Sequence, residues 1–317
     1  MRLRSGGWVL LCILLAAADG ACAQEQDFSK VEIKTAQLAD HLYLLQGSGG
    51  NITASVGPDG VLMVDDEFAP LADKIRAALK SLGGDPHVRF VINTHYHFDH
   101  TDGNAPFAQA GAILIAADEL RARLVSGGTI GNGATIAREM KAVEGAALPA
   151  VTFDRELTVH LNGEDVRAVH YAHAHTAGDS IVYFPQAKAV AMGDIYVRSG
   201  FPFIDLNGGG SVQGMIAACE TVLAAVPADT KVIPGHGELA SIEDLRTYVK
   251  MLKDTSAAVA KAVKAGKTLA QMKQQHLLSA WSGAYSPPKA FIDTDAFTDT
   301  LFNSLNAHAA RHGKPAR

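Results

Sequence analysis

Apolar positions change their period several times along the first half of the chain. Short runs, VEIK at 31–34, LYLLQ at 42–46, NITASVG at 51–57 and GVLMVDD at 60–66, are separated by Gly, Asn, Pro and Asp and predict strands. The segment NITASVGPDG predicts a hairpin. PLADKIRAALKSLGG at 70–84 switches to helical spacing and ends in glycine. VRFVIN at 88–93 is a short apolar run and predicts a buried strand. Helices are expected at about 104–110, 117–125 and 134–143, with GGTIGNGAT between the last two as a flexible loop. LTVHL-NG-EDVRAVH is a hairpin pattern, because Asn-Gly suits a two-residue turn. SIVYFP, AVAMGD and KVIPG predict further strands, a helix falls at 211–226, and the chain from 241 onward reads as helical. Strand groups alternating with helices predict the α/β class, with helices covering sheets.

Composition narrows this picture. The 317 residues are 48% hydrophobic, enough for a large core, and the formal net charge is −5. No basic block occurs, which argues against a nucleic-acid partner. Residues 1–23 carry the marks of a secretory signal: basic MRLR, apolar WVLLCILLAAA and a small-x-small ACA. The apolar stretch is too short for a stable membrane span. The expectation is a periplasmic or secreted chain without a stable membrane anchor, starting at Gln24 and forming a single domain over 24–317. Its C-terminal helical extension begins at about 241. Of three cysteines only Cys219 remains after 23, in an apolar helical pattern, so no internal disulfide forms and the thiol is expected to be buried.

The chemistry concentrates at strand ends. THYHFDH at 94–100 directly follows VRFVIN and places three histidines beside an aspartate. Imidazole nitrogens and carboxylate oxygens suit zinc. HAHTAGDS, MGD and PGHG add His173, His175, Asp194 and His236, each behind a strand-like run. Strand ends converging on one edge of a layered fold would supply a two-metal site.

In this order HxHxDH, HTxGD, GD and PGH resemble the metallo-β-lactamase superfamily across the chain to about 240. The resemblance implies an αβ/βα four-layer sandwich of two mixed sheets with outer helices and metals at one rim. It implies two Zn2+ ions per chain: His95, His97 and His175 around the first, Asp99, His100 and His236 around the second, and Asp194 bridging. His175 fits because it directly precedes TAGD; His173 is then a loop residue or a neighbour of the ligands. His41, His87, His160, His170, His276, His308 and His312 have no motif context and are read as surface or structural.

A metal pair supplies a nucleophile at neutral pH by lowering the pKa of water to about 7. The resemblance therefore implies a hydrolase for a small-molecule substrate, opening a β-lactam amide, lactone or ester bond, with Asp99 also relaying a proton. A bridging aspartate resembles the glyoxalase II and lactonase branches, where the zinc β-lactamases carry Cys or Ser, so a thioester hydrolase is one alternative. A mononuclear iron sulfur dioxygenase on the same scaffold is another, and a non-catalytic binding protein would show broken ligands. YVRSGFPFIDLNGGG follows Asp194, and its Tyr196 and Arg198 are candidate substrate-binding residues, for an oxyanion and a carboxylate respectively. Asp65 and Asp66 end a strand, where contact with the ligands and an ordinary terminus are both open, and the early hairpin is a candidate lid.

Overall fold

The computed structural model describes residues 27–83 and 87–311. The signal segment read at 1–23, together with His312, lies outside them. The chain opens with strands β1 (Lys34–Ala39), β2 (Leu42–Gln46), β3 (Ile52–Gly57) and β4 (Gly60–Val64), then helix α1 (Ala72–Ser81) and β5 (Val88–Ile92). Two short helices follow, α2 (Phe98–Thr101) and α3 (Asn104–Gln109), then β6 (Ile113–Ala117) and α4 (Asp118–Ser126). Strands β7 (Gly128–Gly131) and β8 (Ala137–Met140) form a small hairpin ahead of β9 (Val151–Phe153). The second half holds β10 (Glu156–Leu161), β11 (Glu164–Tyr171), β12 (Asp179–Phe184), β13 (Ala189–Ala191), α5 (Val212–Ala225) and β14 (Lys231–Ile233). Helices α6 (Ile242–Lys264), α7 (Leu269–Gln274), α8 (Ser279–Tyr285) and α9 (Thr294–Arg311) complete it.

The first sheet runs β1-β2-β3-β4-β5-β6-β9 and the second β10-β11-β12-β13-β14. Both are mixed. The first is antiparallel through β4 and parallel beyond it; the second is a meander closed by β14 lying parallel to β13. Alternation within β12 shows how the layers form. Val182 and Phe184 face inward onto Leu62, Val64 and Ile92 of the first sheet, while Ile181 and Tyr183 face outward onto the helices of the second half, with Met215, Cys219 and Leu252. On the other side Ile52, Met63 and Val91 pack under Leu71, Ile75 and Leu79. Two sheets face to face with helices outside form the expected αβ/βα sandwich. Helices α6 and α9 join this outer core through Leu245, Val249, Phe297 and Leu301. No helix among the described residues is long and apolar enough to cross a membrane.

Two local expectations are corrected. VEIK is not a strand; pairing begins at Lys34, opposite Gln46. The stretch 134–143 is not a helix but contains β8. The Asn132 side chain accepts from the amides of Ala134, Thr135 and Ile136 at 3.2, 3.1 and 2.9 Å, closing a turn that sends the chain back antiparallel. Residues with ordinary helix propensity are overridden by that turn and by ladder pairing to β7, which itself occupies part of the expected loop.

Candidate metal centre

Each motif residue sits just past the end of a strand, and local chemistry fixes each one. After β5, the Thr94 amide and hydroxyl donate to Asp65 at 2.7 and 2.8 Å, which anchors the start of THYHFDH. The following helical turn brings Asp99 and His100 round onto the side of His95 and His97. After β11, Asp179 accepts from the amide and hydroxyl of Thr176 at 2.8 and 2.5 Å and closes the loop that presents His175. Burial pushes the Asp179 carboxyl up to about 8 against the pull of these donors. After β13, a single 3-10 turn (Gly193–Ile195) presents Asp194. After β14, Gly235 passes so close to Asp194 that an added Cβ would lie 2.0 Å from Oδ1, so the residue before His236 must be glycine. Asn51 donates to the carbonyls of Pro234 and Gly237 at 2.8 and 2.9 Å, pinning the His236 loop.

These elements bring seven side chains together as two groups, His95, His97, His175 and Asp194 on one side and Asp99, His100 and His236 on the other. Within each, the candidate ligand atoms lie within 4.8 Å of one another. Asp194 faces both: Oδ2 is 3.8 Å from His175 Nε2, and Oδ1 is 3.3 and 3.5 Å from His100 Nε2 and His236 Nε2. Asp99 Oδ2 lies 3.2 Å from His236 Nε2.

The far nitrogens of four rings are already engaged. His95 Nδ1 meets Thr94 Oγ1 at 3.1 Å, His97 Nε2 meets Asp205 Oδ2 at 3.2 Å, His100 Nδ1 meets Asp65 Oδ2 at 2.8 Å, and His175 Nδ1 meets the Phe203 carbonyl at 2.9 Å. A ring donating to a carboxylate or carbonyl from one nitrogen offers a lone pair at the other. So His175 Nε2 and His97 Nδ1, 3.0 Å apart, approach lone pair to lone pair, an arrangement that repels unless a cation sits among them. His95 Nε2 is buried without a hydrogen-bond partner. A buried polar atom left orphaned in a native site calls for an explanation, and an ion held among these donors would supply it. The donor set, nitrogens and carboxylates with fixed outer contacts, fits zinc.

The two groups differ electrically in the absence of metal. Burial, then the neighbouring histidines, hold His95 well below the usual histidine range. Burial, then His97, takes His175 to about 4. Burial acts the same way on His236, but Asp194 and Asp99 outweigh it and raise the ring to about 10. Burial would raise Asp99, but His100 and His236 hold it down at about 2. His95 and His175 are thus held neutral, while His236 is held cationic against Asp194 and Asp99.

A cleft of about 640 Å³ opens over the cluster, with His97, Asp99, Asp194 and His236 at its floor. Tyr196 and Arg198 do not line it. Ser199 and Phe201 line the cleft and Val197 borders both sides, while Tyr196, Arg198 and Gly200 line a separate groove. Tyr196 is buried against Tyr248, and Arg198 donates to the Leu239 carbonyl at 2.7 Å and lies 3.7 Å from Asp244. His173 bonds the Gly209 carbonyl at 2.9 Å and stays outside the cluster.

Sequence reasoning missed Asp205. It is fully buried; Oδ2 accepts from Tyr96 and His97, and Oδ1 from the amides of Gly131 and Gly208 at 2.8 and 2.9 Å. A lone acid in the apolar FIDL run followed by a Gly-rich turn was the available signal.

Comparison with known proteins agrees with the fold. A sequence model of the metallo-beta-lactamase superfamily matches residues 47–250. The chain is 29% identical over 201 residues to the probable hydroxyacylglutathione hydrolase glo2 of Schizosaccharomyces pombe, covering 62% of this chain and 63% of that protein. It is 29% identical over 184 residues to the hydroxyacylglutathione hydrolase of Brucella ovis, covering 56% and 61%. It is 30% identical over 141 residues to the 2,4-dinitroanisole O-demethylase subunit alpha of Nocardioides sp., covering 44% and 38%. The chain therefore spans less than two thirds of the length of these relatives. Among solved structures, DIM-1 metallo-beta-lactamase superposes with a TM-score of 0.56 at 16% identity, covering 72% of this chain and 100% of that one. The metallo-beta-lactamase from Pontibacter korlensis superposes with 0.55 at 15% identity, covering 70% and 99%. These likenesses show the fold. The match over more than half of its length, to a sandwich whose motif residues meet at one rim, shows that the chain belongs to the metallo-beta-lactamase superfamily.

Proposed function

We propose that the chain is a dinuclear zinc hydrolase for a small-molecule substrate, cleaving a carbonyl-centred bond in a β-lactam, lactone, ester or thioester. One observation carries this reading: seven donors converge beneath an open cleft, four of them at its floor, and Asp194 faces both groups. His95, His97 and His175 would hold the first ion, Asp99, His100 and His236 the second, and Asp194 both. Zinc, when bound, would supply Lewis acidity for the carbonyl and lower the pKa of water to about 7.

The chain's own residues supply the rest. Asp205, Asp65, Thr94 and the Phe203 carbonyl hold the imidazoles in one tautomer and orientation. Asp99 reaches the cleft floor, where its carboxylate can take a proton from the attacking water and return it to the leaving group. Apolar residues of the cleft walls, Phe203 and Ile292 among them, would face the body of the substrate. A thioester substrate is favoured by the hydroxyacylglutathione hydrolases among its relatives. The secretory pattern of residues 1–23 supports a periplasmic or secreted location and keeps β-lactams in the panel.

The test is turnover by zinc-loaded protein of a chromogenic cephalosporin, a lactone and a hydroxyacylglutathione thioester. A kcat/KM above about 10⁴ M⁻¹s⁻¹ on any of these supports the reading and names the bond. Turnover of none of them, with two zinc ions bound, contradicts it.

A further inference from the structure

The walls of the cleft are not all drawn from the part of the chain that matches the superfamily. Pro287–Ile292, well beyond residue 250, forms one side and places Lys289, Phe291 and Ile292 in it. The β7–β8 hairpin forms another and contributes Ile130, Ile136 and Arg138. From the floor, aromatic rings lead outward: Phe203 lies 5.8 Å from His97, and Phe291 lies 6.0 Å from Phe203. Phe291 is 78% exposed and Phe98 39%, an unusual expense of large apolar surface at the mouth of one cleft.

The rim is cationic. Arg138 Cζ lies 3.9 Å from the centre of the Phe98 ring. That contact holds the guanidinium over the cleft and reduces the freedom lost on gripping a ligand. Neither Arg138 nor Lys289 has a carboxylate within ion-pair distance among the described residues. A planar, pre-positioned, unpaired guanidinium beside apolar walls matches a carboxylate on an apolar body.

We propose that the cleft carries a substrate subsite for an amphipathic carboxylate. Its anionic end pairs with Arg138 at the rim, and its apolar body lies along Phe203 and Phe291 towards the floor. The hairpin and the C-terminal segment are then the specificity-determining walls. This deepens the hydrolase reading and rests on it for the identity of the reacting group, but the binding step is measurable without turnover.

The test is calorimetric binding of 4-phenylbutanoate and its neutral isostere 4-phenylbutanamide to zinc-loaded protein, wild type, Arg138→Gln and Phe291→Ser. Both side chains are exposed, so folding is expected to survive substitution. Arg138→Gln is expected to weaken the carboxylate about fivefold and to leave the amide unchanged. Phe291→Ser is expected to weaken both by about fivefold. Carboxylate binding equal in wild type and Arg138→Gln would assign the anion to the metal centre alone and overturn the proposal, as would no binding of either probe. Arg138-dependent binding without turnover of any ester or amide would sink the hydrolase reading and leave the subsite standing.

Discussion

Asp205 grips the outer nitrogen of His97: its Oδ2 lies 3.2 Å from Nε2, and Tyr96 donates to the same oxygen. The other nitrogen of His97 is thereby turned to the cluster, 3.0 Å from His175. The pair joins residues far apart in sequence and fixes a ring that a free rotamer would not.

Asp205→Asn is therefore expected to weaken zinc binding. Loss of such an outer partner typically costs 10–100-fold in metal affinity. Competition with a chromogenic chelator measures it; unchanged affinity would show that His97 is positioned by packing alone.

The raised ring of His236 gives a pH dependence. Its folded value is about 10 against an ordinary value near 6.5. The stabilisation from its proton is complete below about 6.5 and is lost as pH rises through about 10. The raised Asp179 carboxyl acts in the same direction, its contribution fading between about 4 and 8. Metal-free protein should melt at lower temperature at pH 9.5 than at pH 7. Zinc must displace the His236 proton, so its affinity should fall as pH drops below 10, with proton release visible by calorimetry in buffers of different ionisation enthalpy. A flat melting profile from pH 7 to 10 would show that Asp194 and Asp99 do not hold His236 charged.

Gly235→Ala should disable the centre without unfolding the sandwich. A Cβ there meets Asp194 Oδ1 at 2.0 Å, so Asp194 must move. Metal content measured beside circular dichroism separates the two effects; full zinc content in the variant would contradict the packing argument.

The interface between the sheets sets stability. Leu62 is fully buried against the second sheet, and Leu62→Ala is expected to cost about 2–5 kcal/mol. Urea unfolding should show a lower midpoint at unchanged slope. A loss below ~1 kcal/mol would mean that the layers close over the cavity.

Asp99→Asn is expected to lose most turnover on whichever substrate is cleaved, by about 10²-fold or more for a proton relay. Unchanged turnover at full metal content would remove Asp99 from that role.

The convergence of the seven donors was legible because they follow strand-like runs such as VRFVIN, AVAMGD and KVIPG, and a strand end is where a layered sheet exposes its chemistry. The layers were legible in the alternation of strand groups with helices along the chain. What was not legible depended on tertiary contact. Asp205 reaches His97 across the fold, and no local spacing encodes that. Arg138 was hidden because the Asn132 turn, a single side chain capping three amides, converts an apparent helix into a hairpin. Tyr196 and Arg198 follow Asp194 closely, yet they line a groove with Asp244 and Tyr248, while Ser199 and Phe201 line the cleft.

The central claim is that the seven converging donors hold two metal ions. Elemental analysis of the zinc-loaded chain after exhaustive desalting tests it most directly, beside His175→Ala and His236→Ala. The account predicts two zinc ions per chain in the wild type and about one in each variant. Fewer than two ions in the wild type, or two retained in both variants, would contradict it.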